Sequence, residues 1–336
     1  MTGLIRSASL TNFAEIARKA GLDPARLLSE FGLPQRSLQE PDLKVPIDSV
    51  RRLLEVSAER SGVEAFGLLM AETRQLSNLG PVGLLVREQP TLQLAIEALA
   101  RYTRQLNQAL FLTIDESGDV VVLREELIVG HAGPVRQSTE LAIGVVFRML
   151  RTLLGPDWKP RRVCFAHDPP ANRGVHNRVF GRHVEFGHDF NGIVFAKADL
   201  AVANPNADPA MARYARQMLE ANSPAETHET SLQVRELVLR LLAGGRCTIT
   251  VVAQHLGVDR RTIHRRLASE DESFSAIVDT VRRELAERYM QDRNRSLADV
   301  SALLGFAAPS GFSRWYRRQF NDKASQQRAR GPRRAP

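Results

Sequence analysis

Between residues 250 and 320 the chain carries one pattern twice. In each copy, a short helical pattern is followed by a glycine, one apolar residue and a second helical pattern that is rich in arginine. The two glycines, Gly257 and Gly305, lie 48 positions apart. A tight turn between two helices often needs glycine, because the backbone enters the left-handed region there. The repeat therefore predicts two helix-turn-helix units, with a glycine at positive φ in each turn.

The second helix of each unit has a face that the helical period predicts to be exposed. If Ile263 and Leu267 enter the core of the first unit, the basic residues of that helix point away from it. Phe312 and Tyr316 take the inward positions in the second unit. The outward side chains donate hydrogen bonds suited to base edges and phosphates. The predicted DNA-binding residues are Arg260, Arg261, His264 and Arg265 in the first unit and Ser310, Ser313, Arg314 and Arg317 in the second.

A long connector separates the two units. Residues 273–289 place apolar side chains such as Ile277, Val281 and Leu285 at helical spacing. A helix of this length spans about 25 Å, because each residue adds about 1.5 Å. Major grooves recur about every 34 Å along one face of DNA. Two reading helices on such a rod could therefore enter successive major grooves.

Composition sets the class of protein. The 336 residues suffice for two ordinary domains, and the 43% hydrophobic and 25% charged content is typical of a soluble globular chain. No apolar run approaches the roughly 20 residues of a membrane span, and the N-terminal residues lack the pattern of a secretion signal. The only cysteines are Cys164 and Cys247, which excludes a disulfide framework. We therefore expect a cytoplasmic protein that has no membrane partner.

The positive charge is concentrated in the last third of the chain. From Asn222 onward there are 20 Lys and Arg against 13 Asp and Glu, so this segment holds +7 of the total net charge of +8. A basic run is often only a solvated surface. Here the charge coincides with the outward faces of the two repeated units, and this coincidence favours binding to the phosphates of double-stranded DNA.

Several segments of the repeated region match a known pattern. They are Val252-Ala253…Leu256-Gly257, Thr262-Ile263-His264-Arg265-Arg266-Leu267, Ser273-Phe274, Val281-Arg282…Ala286 and Leu304-Gly305-Phe306…Pro309-Ser310…Phe312-Ser313-Arg314. Together they resemble the DNA-binding domain of the AraC/XylS family of transcription regulators. The chain departs from the family at Ser301, where alanine is usual, and at Ala307, which removes a possible N-cap. The resemblance implies sequence-specific DNA binding and RNA polymerase as a partner.

The last segment of the chain also departs from the family pattern. The family usually follows its final helix with Gly-x-x-Pro-x-x-Tyr-Arg. The corresponding positions here are Asn321, Ala324, Gln327 and Arg328. This departure and the two at Ser301 and Ala307 bear on the stability of the second unit rather than on its identity.

The region before residue 222 mixes helical and strand patterns, which predicts an α+β domain. Helices are predicted to begin at Asp23-Pro24, at Pro46-Ile47 and at Pro90-Thr91. The last of these is expected to run through Leu110, with Leu94 in its apolar stripe. Residues 79–83 are expected to break the helical pattern before it.

Strand patterns follow in the second half of this region. Residues 111–114 and 120–123 are predicted to form a β-hairpin around an acidic turn at 115–119. A long helix is predicted at 135–154 and another at 208–220. Further short strands are predicted at 162–165, 184–186 and 193–195.

Part of this region also matches a known pattern. The matching segments are Leu79-Gly80…Gly83, Pro90-Thr91-Leu92…Ala95, Gly155-Pro156-Asp157-Trp158…Pro160-Arg161-Arg162-Val163 and Val184-Glu185-Phe186. They resemble the arabinose-binding-type ligand and dimerisation domain found in one branch of the same regulators. This resemblance implies an effector-sensing module and a homodimer. Tyr102 and Asn107, on or beside a long helix, are the candidate effector-binding residues, although a role in the core or at the surface is the alternative for both.

The predicted fold is therefore mixed, with an N-terminal α+β effector and dimerisation domain before an all-α domain of two helix-turn-helix units joined by a long helix. Residues 1–221 form the first domain, 222–230 a linker, 231–328 the DNA-binding domain and 329–336 a basic tail. The predicted function is a transcription regulator, expected to act as an activator, that responds to a small molecule. An effector-independent DNA-binding protein, whose first domain only dimerises, is the alternative. An enzyme with a DNA-targeting domain is the third.

The sequence gives little support to catalysis or metal binding. His167, His176, His183 and His188 do not have the spacing of a metal-binding pair on one helix. The chain also lacks a glycine-rich phosphate loop and a nucleophile elbow. We therefore expect no metal, no cofactor and no catalytic residues.

Overall fold

The structure is a computed structural model that describes residues 3–127, 133–221, 230–242, 247–256, 258–290 and 295–330. The chain divides into two compact units, Met1–Pro224 and Ala225–Pro336. The predicted linker at 222–230 lies outside the described residues except for its last position, as does most of the predicted tail. None of the described helices is both long enough and apolar enough to span a membrane.

The first half of the N-terminal unit is mostly helical. It begins with the short strand β1 and alternates helices with turns up to the long helix α6. The elements are β1 (Leu4–Arg6), α1 (Phe13–Lys19), α2 (Pro24–Glu30), β2 (Lys44–Pro46), α3 (Ile47–Ser61), α4 (Phe66–Ala71), α5 (Pro81–Arg87) and α6 (Leu92–Leu106), with 3-10 turns at Ser7–Leu10, Gln35–Leu38 and Leu76–Leu79.

The second half of this unit contains its main sheet. The elements are β3 (Leu110–Ser117), β4 (Val120–Leu127), α7 (Arg136–Leu154), β5 (Arg162–Cys164), α8 (Gly174–Phe180), β6 (Val184–Glu185), β7 (Asn191–Ala196), a 3-10 turn at Lys197–Ala201 and α9 (Pro209–Ala221). The five strands follow the order β3-β4-β7-β5-β6, and β1 pairs with β2 separately. Only the β5–β6 pair is parallel among the described strands. This is the α+β architecture that the sequence predicts.

One hydrophobic core holds the helices and the sheet of this unit together. Phe66 and Leu68 of α4, Leu150 of α7 and Phe195 of β7 are fully buried members of that core. Helix α2 begins as predicted, because the Asp23 carboxylate accepts hydrogen bonds from the backbone N–H groups of the first turn.

Helix α6 is shorter than predicted. Thr91 caps its N-terminus, but the helix ends at Leu106 and not at Leu110. The chain is extended from Asn107, which bridges to Ile5, and β3 then pairs with β4 along its whole length. Leu94, predicted to lie in the buried stripe, is 41% exposed. The strand pairing thus outweighs the helical pattern in the last four residues.

The hairpin is longer and its turn tighter than predicted. Asp115 and Glu116 belong to β3, where Asp115 faces Val122, so they are not turn residues. The turn consists of Gly118 and Asp119, and Gly118 has a φ of +60°. A two-residue turn of this kind matches the twist of the paired strands, which lets the pairing extend up to it.

The predicted break at residues 79–83 is confined to its first half. Gly80, at a φ of +59°, ends the 3-10 turn, and Pro81 opens α5. Gly83 lies inside that helix. A Cβ atom there would come within 1.9 Å of the Leu76 carbonyl oxygen, so this glycine serves close packing and not a chain break.

The C-terminal unit consists of helices in its described residues. They are α10 (Thr230–Leu242), α11 (Ile249–His255), α12 (Arg260–Ala268), α13 (Phe274–Tyr289), α14 (Leu297–Leu303), α15 (Pro309–Phe320) and α16 (Ala324–Arg330). Helices α11 and α12 form the first helix-turn-helix unit, and α14 and α15 form the second. Helix α13 is the predicted connector. Buried side chains from all seven helices form one hydrophobic core.

Candidate nucleic-acid interface

Helix α12 presents a basic face to solvent. Its inward positions, Ile263 and Leu267, are both fully buried. Its start is fixed by Asp259, whose carboxylate accepts hydrogen bonds from the backbone N–H of Thr262 at 2.7 Å and from its hydroxyl at 3.0 Å. These hydrogen bonds hold the pKa of Asp259 below its ordinary value, with the backbone bond to Thr262 as the largest cause. The cap and the buried pair together fix which side of α12 is exposed.

Helix α15 has a larger inward face. Phe312, Trp315 and Tyr316 are almost completely buried and pack against one another and against Phe306 and Phe320. The indole N–H of Trp315 donates to Asp279 of α13 at 2.8 Å. This aromatic cluster sets the rotation of α15 about its own axis.

All eight predicted DNA-binding side chains are exposed. They are Arg260, Arg261, His264 and Arg265 on α12 and Ser310, Ser313, Arg314 and Arg317 on α15. Within the described part of the chain, no carboxylate lies within salt-bridge distance of their five guanidinium groups. The Ser313 hydroxyl donates to the Pro309 carbonyl at 3.0 Å. The arginine side chains are thus available to an external anion, and their contact with DNA stays a prediction.

The turn of the second unit fits its glycine closely. Gly305 has a φ of +69°, as the sequence predicts. A Cβ atom at this position would lie 2.4 Å from the Leu242 carbonyl oxygen at the end of α10. Gly257, the corresponding turn residue of the first unit, lies outside the described residues.

Arg282 of the connector also binds this turn. Its Nε donates to the Leu304 carbonyl at 3.0 Å and its Nη2 to the Gly305 carbonyl at 3.4 Å. Its guanidinium lies 4.3 Å from the centroid of the Phe306 ring. Burial lowers the pKa of Arg282 from its ordinary value. This arginine is therefore a structural residue, although the sequence gives it the same basic character as the exposed arginines of α12 and α15.

Two further capping interactions were not predicted. The Glu270 carboxylate accepts hydrogen bonds from the backbone N–H groups of Thr230 and Ser231 at 2.6 and 2.8 Å, and thereby caps α10. Ser296 and Asp299 form a reciprocal capping box at the start of α14. The spacing of this box, a serine followed three residues later by an acid, was a readable signal. The sequence gives no comparable signal for the Glu270 cap, because Glu270 and the capped residue Thr230 lie 40 residues apart.

The predicted departures from the family pattern have visible consequences. The N-cap position of α15 is Ala308, one residue after the predicted Ala307, and it offers no side-chain hydrogen bond. Ser301 is buried, and its hydroxyl has no hydrogen-bond partner among the described residues. A buried hydroxyl without a partner destabilises the fold relative to alanine. Both features lie in the second unit.

The N-terminal unit contains a cavity of about 130 Å³. Asn107, one of the two candidate effector-binding residues, lines it. Tyr102 is partly buried on α6 and packs against the core of the unit, away from the lining. Effector binding by these two residues stays a prediction.

The histidines considered for metal binding do not form one cluster among the described residues. His167 and His176 both approach Glu140, which is fully buried, with Nε2 to Oε1 distances of 3.3 and 3.2 Å. Among the described residues, one group of three has ligand atoms within 4.8 Å of one another, namely Cys164, Glu185 and His188. Burial raises the pKa of the Cys164 thiol to about 11, so this thiol is protonated at neutral pH.

Known protein families match both the N-terminal unit and the C-terminal unit of the chain. The family model for the arabinose-binding N-terminal domain of AraC transcription regulators matches residues 21–204, and a helix-turn-helix domain model matches residues 252–330. The HTH-type transcriptional regulator VirS of Mycobacterium tuberculosis is 30% identical over 331 residues, which cover 98% of this chain and 97% of VirS. The Ornithine utilization regulator of Pseudomonas aeruginosa is 26% identical over 308 residues, with coverage of 90% and 88%.

Solved structures include a similar chain as well. It is the transcriptional regulator CdpR from Pseudomonas aeruginosa, 20% identical, with coverage of 91% of this chain and 96% of CdpR and a TM-score of 0.44. The fold, the family models and the relatives together define a DNA-binding transcription regulator whose N-terminal domain is of the ligand-binding type. The chain belongs to the AraC family of transcription regulators.

Proposed function

We propose that α12 and α15 are the two recognition helices, that they enter successive major grooves of one asymmetric operator half-site, and that the chain acts as a homodimer. The observation that supports this most directly is the pairing of buried and exposed faces. The inward residues of both helices are fixed by packing, and the eight polar residues opposite them face solvent. A recognition helix needs such a face, because base edges are read by side chains that project into the groove.

Charge supports the same assignment. The C-terminal unit carries nearly all of the excess positive charge of the chain. Cations that neutralise phosphates release counterions from DNA, so this unit is the part of the chain expected to bind DNA in a salt-dependent way. We further propose that a small molecule bound in the N-terminal unit favours the arrangement in which both DNA-binding units of a dimer engage the operator. Activation through RNA polymerase and a cytoplasmic location complete this proposal, in which the chain has no enzymatic activity.

The test uses Arg265→Ala and Arg314→Ala in the full chain, with Arg101→Ala as the matched control. Arg101 is an exposed arginine of the N-terminal unit, so its loss removes the same charge away from the proposed interface. The operator is selected from genomic DNA fragments that bind the wild-type chain. Each of the first two variants should lose about 1–3 kcal/mol of operator affinity in gel shifts, whereas Arg101→Ala should not.

The salt dependence provides a second readout. The log–log slope of operator affinity against salt should be several units for the wild type, at about 0.9 per neutralised phosphate. Unchanged affinity in both recognition-helix variants would reject the assignment of α12 and α15. Sedimentation of the full chain tests the homodimer, and heat stability in the presence of candidate metabolites separates an effector-responsive regulator from one that only dimerises.

A further inference from the structure

The cavity of the N-terminal unit combines mostly apolar walls with cationic side chains. It lies between α3, α6, α7 and the first strand, and most of its lining consists of leucine, isoleucine, valine, alanine and methionine side chains. Three arginines, Arg6, Arg51 and Arg74, also line it. No Asp or Glu is found among the described residues of the lining. Five neutral polar side chains, those of Ser9, Asn78, Thr103, Asn107 and Ser138, also belong to the lining. The charged groups among the described lining residues are therefore all cationic.

Two of the three arginines are already neutralised. Arg6 donates from Nε and Nη2 to one carboxylate oxygen of Asp42 at 3.0 and 2.5 Å. Arg51 makes the same pair of bonds to Asp48, at 3.0 and 2.5 Å, and its Nη1 donates to the Pro134 carbonyl at 2.9 Å. These two side chains can line the cavity without offering a free charge to a ligand.

Arg74 differs from both. It is 95% buried, and its Nη1 and Nη2 donate to the backbone carbonyls of Ala8 and Ser9, which are neutral. Its Nε has no partner within the described part of the chain, and no salt bridge compensates its charge there. Desolvation lowers the pKa of Arg74 to about 10, so the group is still charged at neutral pH. A buried cation without a counter-charge destabilises the folded state, and an anion bound beside it would offset this cost.

A second polar atom without a partner lies beside it. The Ser9 hydroxyl oxygen is buried and has no hydrogen-bond partner among the described residues. Ser9 and Arg74 both line the cavity, and the Ser9 carbonyl already accepts from the Arg74 guanidinium at 2.5 Å. A guanidinium N–H and a hydroxyl are the donors that a carboxylate accepts best.

We infer that this cavity binds a small monocarboxylate with an apolar body, whose carboxylate lies against Arg74 and Ser9. A cavity of about 150 Å³ lined by apolar side chains holds one benzene molecule, so the body of this ligand is about the size of one aromatic ring or a chain of about six carbons. A sugar fits poorly, because the apolar walls would leave most of its hydroxyls without partners. The inference rests on the proposed effector response and names the chemical class of that effector.

The test measures the melting temperature of the full wild-type chain with matched probes. These are straight-chain carboxylates of four to ten carbons and benzoate, each compared with the alcohol or amide of the same size, with hexylamine and with arabinose. A ligand that binds only the folded state raises the melting temperature in proportion to the logarithm of its concentration. At least one carboxylate should bind at least tenfold more tightly than its neutral counterpart, and hexylamine and arabinose should have no effect.

Three variants locate the site. Ala142→Leu fills part of the cavity without touching the hydrogen bonds of Arg74, and should abolish the shift. Ser9→Ala removes only the unpartnered hydroxyl and should weaken carboxylate binding about three- to tenfold. Arg74→Met should weaken it at least tenfold, with Arg101→Met as the control for lost charge. If Arg74→Met does not fold, the matched probes and the other two variants still decide.

Two results would overturn the inference: no carboxylate raises the melting temperature, or neutral and anionic probes of equal size act equally. An unchanged shift in Ala142→Leu would overturn it as well. The gel shift with wild-type protein separates this from the proposed function. If the chain binds its operator but no carboxylate of this series, the inference about the effector fails while the assignment of the recognition helices stands.

Discussion

The two helix-turn-helix units share one layout but are held by different interactions. In the first unit, α12 starts at a capped N-terminus and buries two aliphatic side chains, Ile263 and Leu267. In the second unit, α15 starts at Ala308 without a side-chain cap and buries an aromatic cluster centred on Trp315. The same supersecondary motif therefore tolerates either a well-capped helix with a small core or an uncapped helix with a large one.

The difference also concerns the range of the interactions. The Asp259 cap of the first unit reaches only three residues along the chain. The second unit is held by partners that are distant in sequence, because Trp315 bonds to Asp279 and the turn at Gly305 is held between Arg282 and α10. The first unit also has a distant partner, since Glu270, just after α12, caps α10 at a separation of 40 residues. Both units are therefore tied to the rest of the C-terminal core, the second one through its turn and its aromatic cluster.

The largest expected effect comes from Gly305→Val. Any Cβ atom there meets the Leu242 carbonyl, and the positive φ strains a β-branched residue in addition. We expect a loss of about 2–5 kcal/mol in the stability of the second unit. Hydrogen exchange followed by mass spectrometry should show faster exchange in α14 and α15 than in wild type, with a smaller change in α12.

Gly311→Ala is the matched control for this prediction. Gly311 lies inside α15, and a Cβ atom there makes only an ordinary contact with the Phe306 ring at 3.6 Å. Replacing a helical glycine by alanine should leave stability unchanged or raise it by about 0.5–1 kcal/mol. If Gly305→Val speeds exchange equally in α12 and α15, the two units are one cooperative unit and the comparison between them fails.

A smaller effect is expected for Arg282→Met. This change keeps the aliphatic length of the side chain but removes the bonds to the Leu304 and Gly305 carbonyls and the contact with Phe306. The second unit should lose about 1–3 kcal/mol, as two charge-assisted hydrogen bonds and a cation–π contact are lost. Arg283→Met, at the exposed neighbouring position, is the control and should have almost no effect on thermal unfolding. Equal melting curves for both variants would show that the turn does not need Arg282.

The smallest effects test the caps directly. Ala308→Ser should give α15 the side-chain cap that it lacks and stabilise the second unit by about 0.5–1 kcal/mol. Asp259→Ala should remove the corresponding cap from α12 and destabilise the first unit. Both changes are measured by thermal unfolding of the full chain. If Ala308→Ser lowers stability, the start of α15 is constrained by something other than its missing cap.

The exposed faces of α12 and α15 were predictable because helical periodicity is a local property. Two apolar positions such as Ile263 and Leu267 suffice to orient a short helix, and both are buried as expected. The end of α6 was not predictable in this way, since the sequence of residues 107–110 continues a helical pattern and only the pairing of β3 with β4 overrides it. Local pattern therefore gives the faces of helices more reliably than their ends.

The roles of individual arginines were least accessible from the sequence. Arg74 lies in the short polar segment 72–75, whose composition is typical of a surface, yet the guanidinium is buried and bonds to the carbonyls of Ala8 and Ser9. Arg282 and Arg265 look alike in composition, but one is tied to backbone carbonyls and the other faces solvent. These differences depend on contacts between segments far apart in the chain, which one sequence does not encode in its spacing.

Helix α13 carries a consequence for the operator. Asp279 and Arg282 tie the second unit to this helix, and the first unit shares its hydrophobic core. If α12 and α15 read two sub-sites of one operator as proposed, inserting one base pair between these sub-sites moves the second one by about 3.4 Å and rotates it by about 34–36° around the DNA axis. The protein can follow that displacement only by breaking its contacts with α13 or by twisting the DNA. We therefore expect the helical phase of the operator to be constrained more strictly than most of its individual bases.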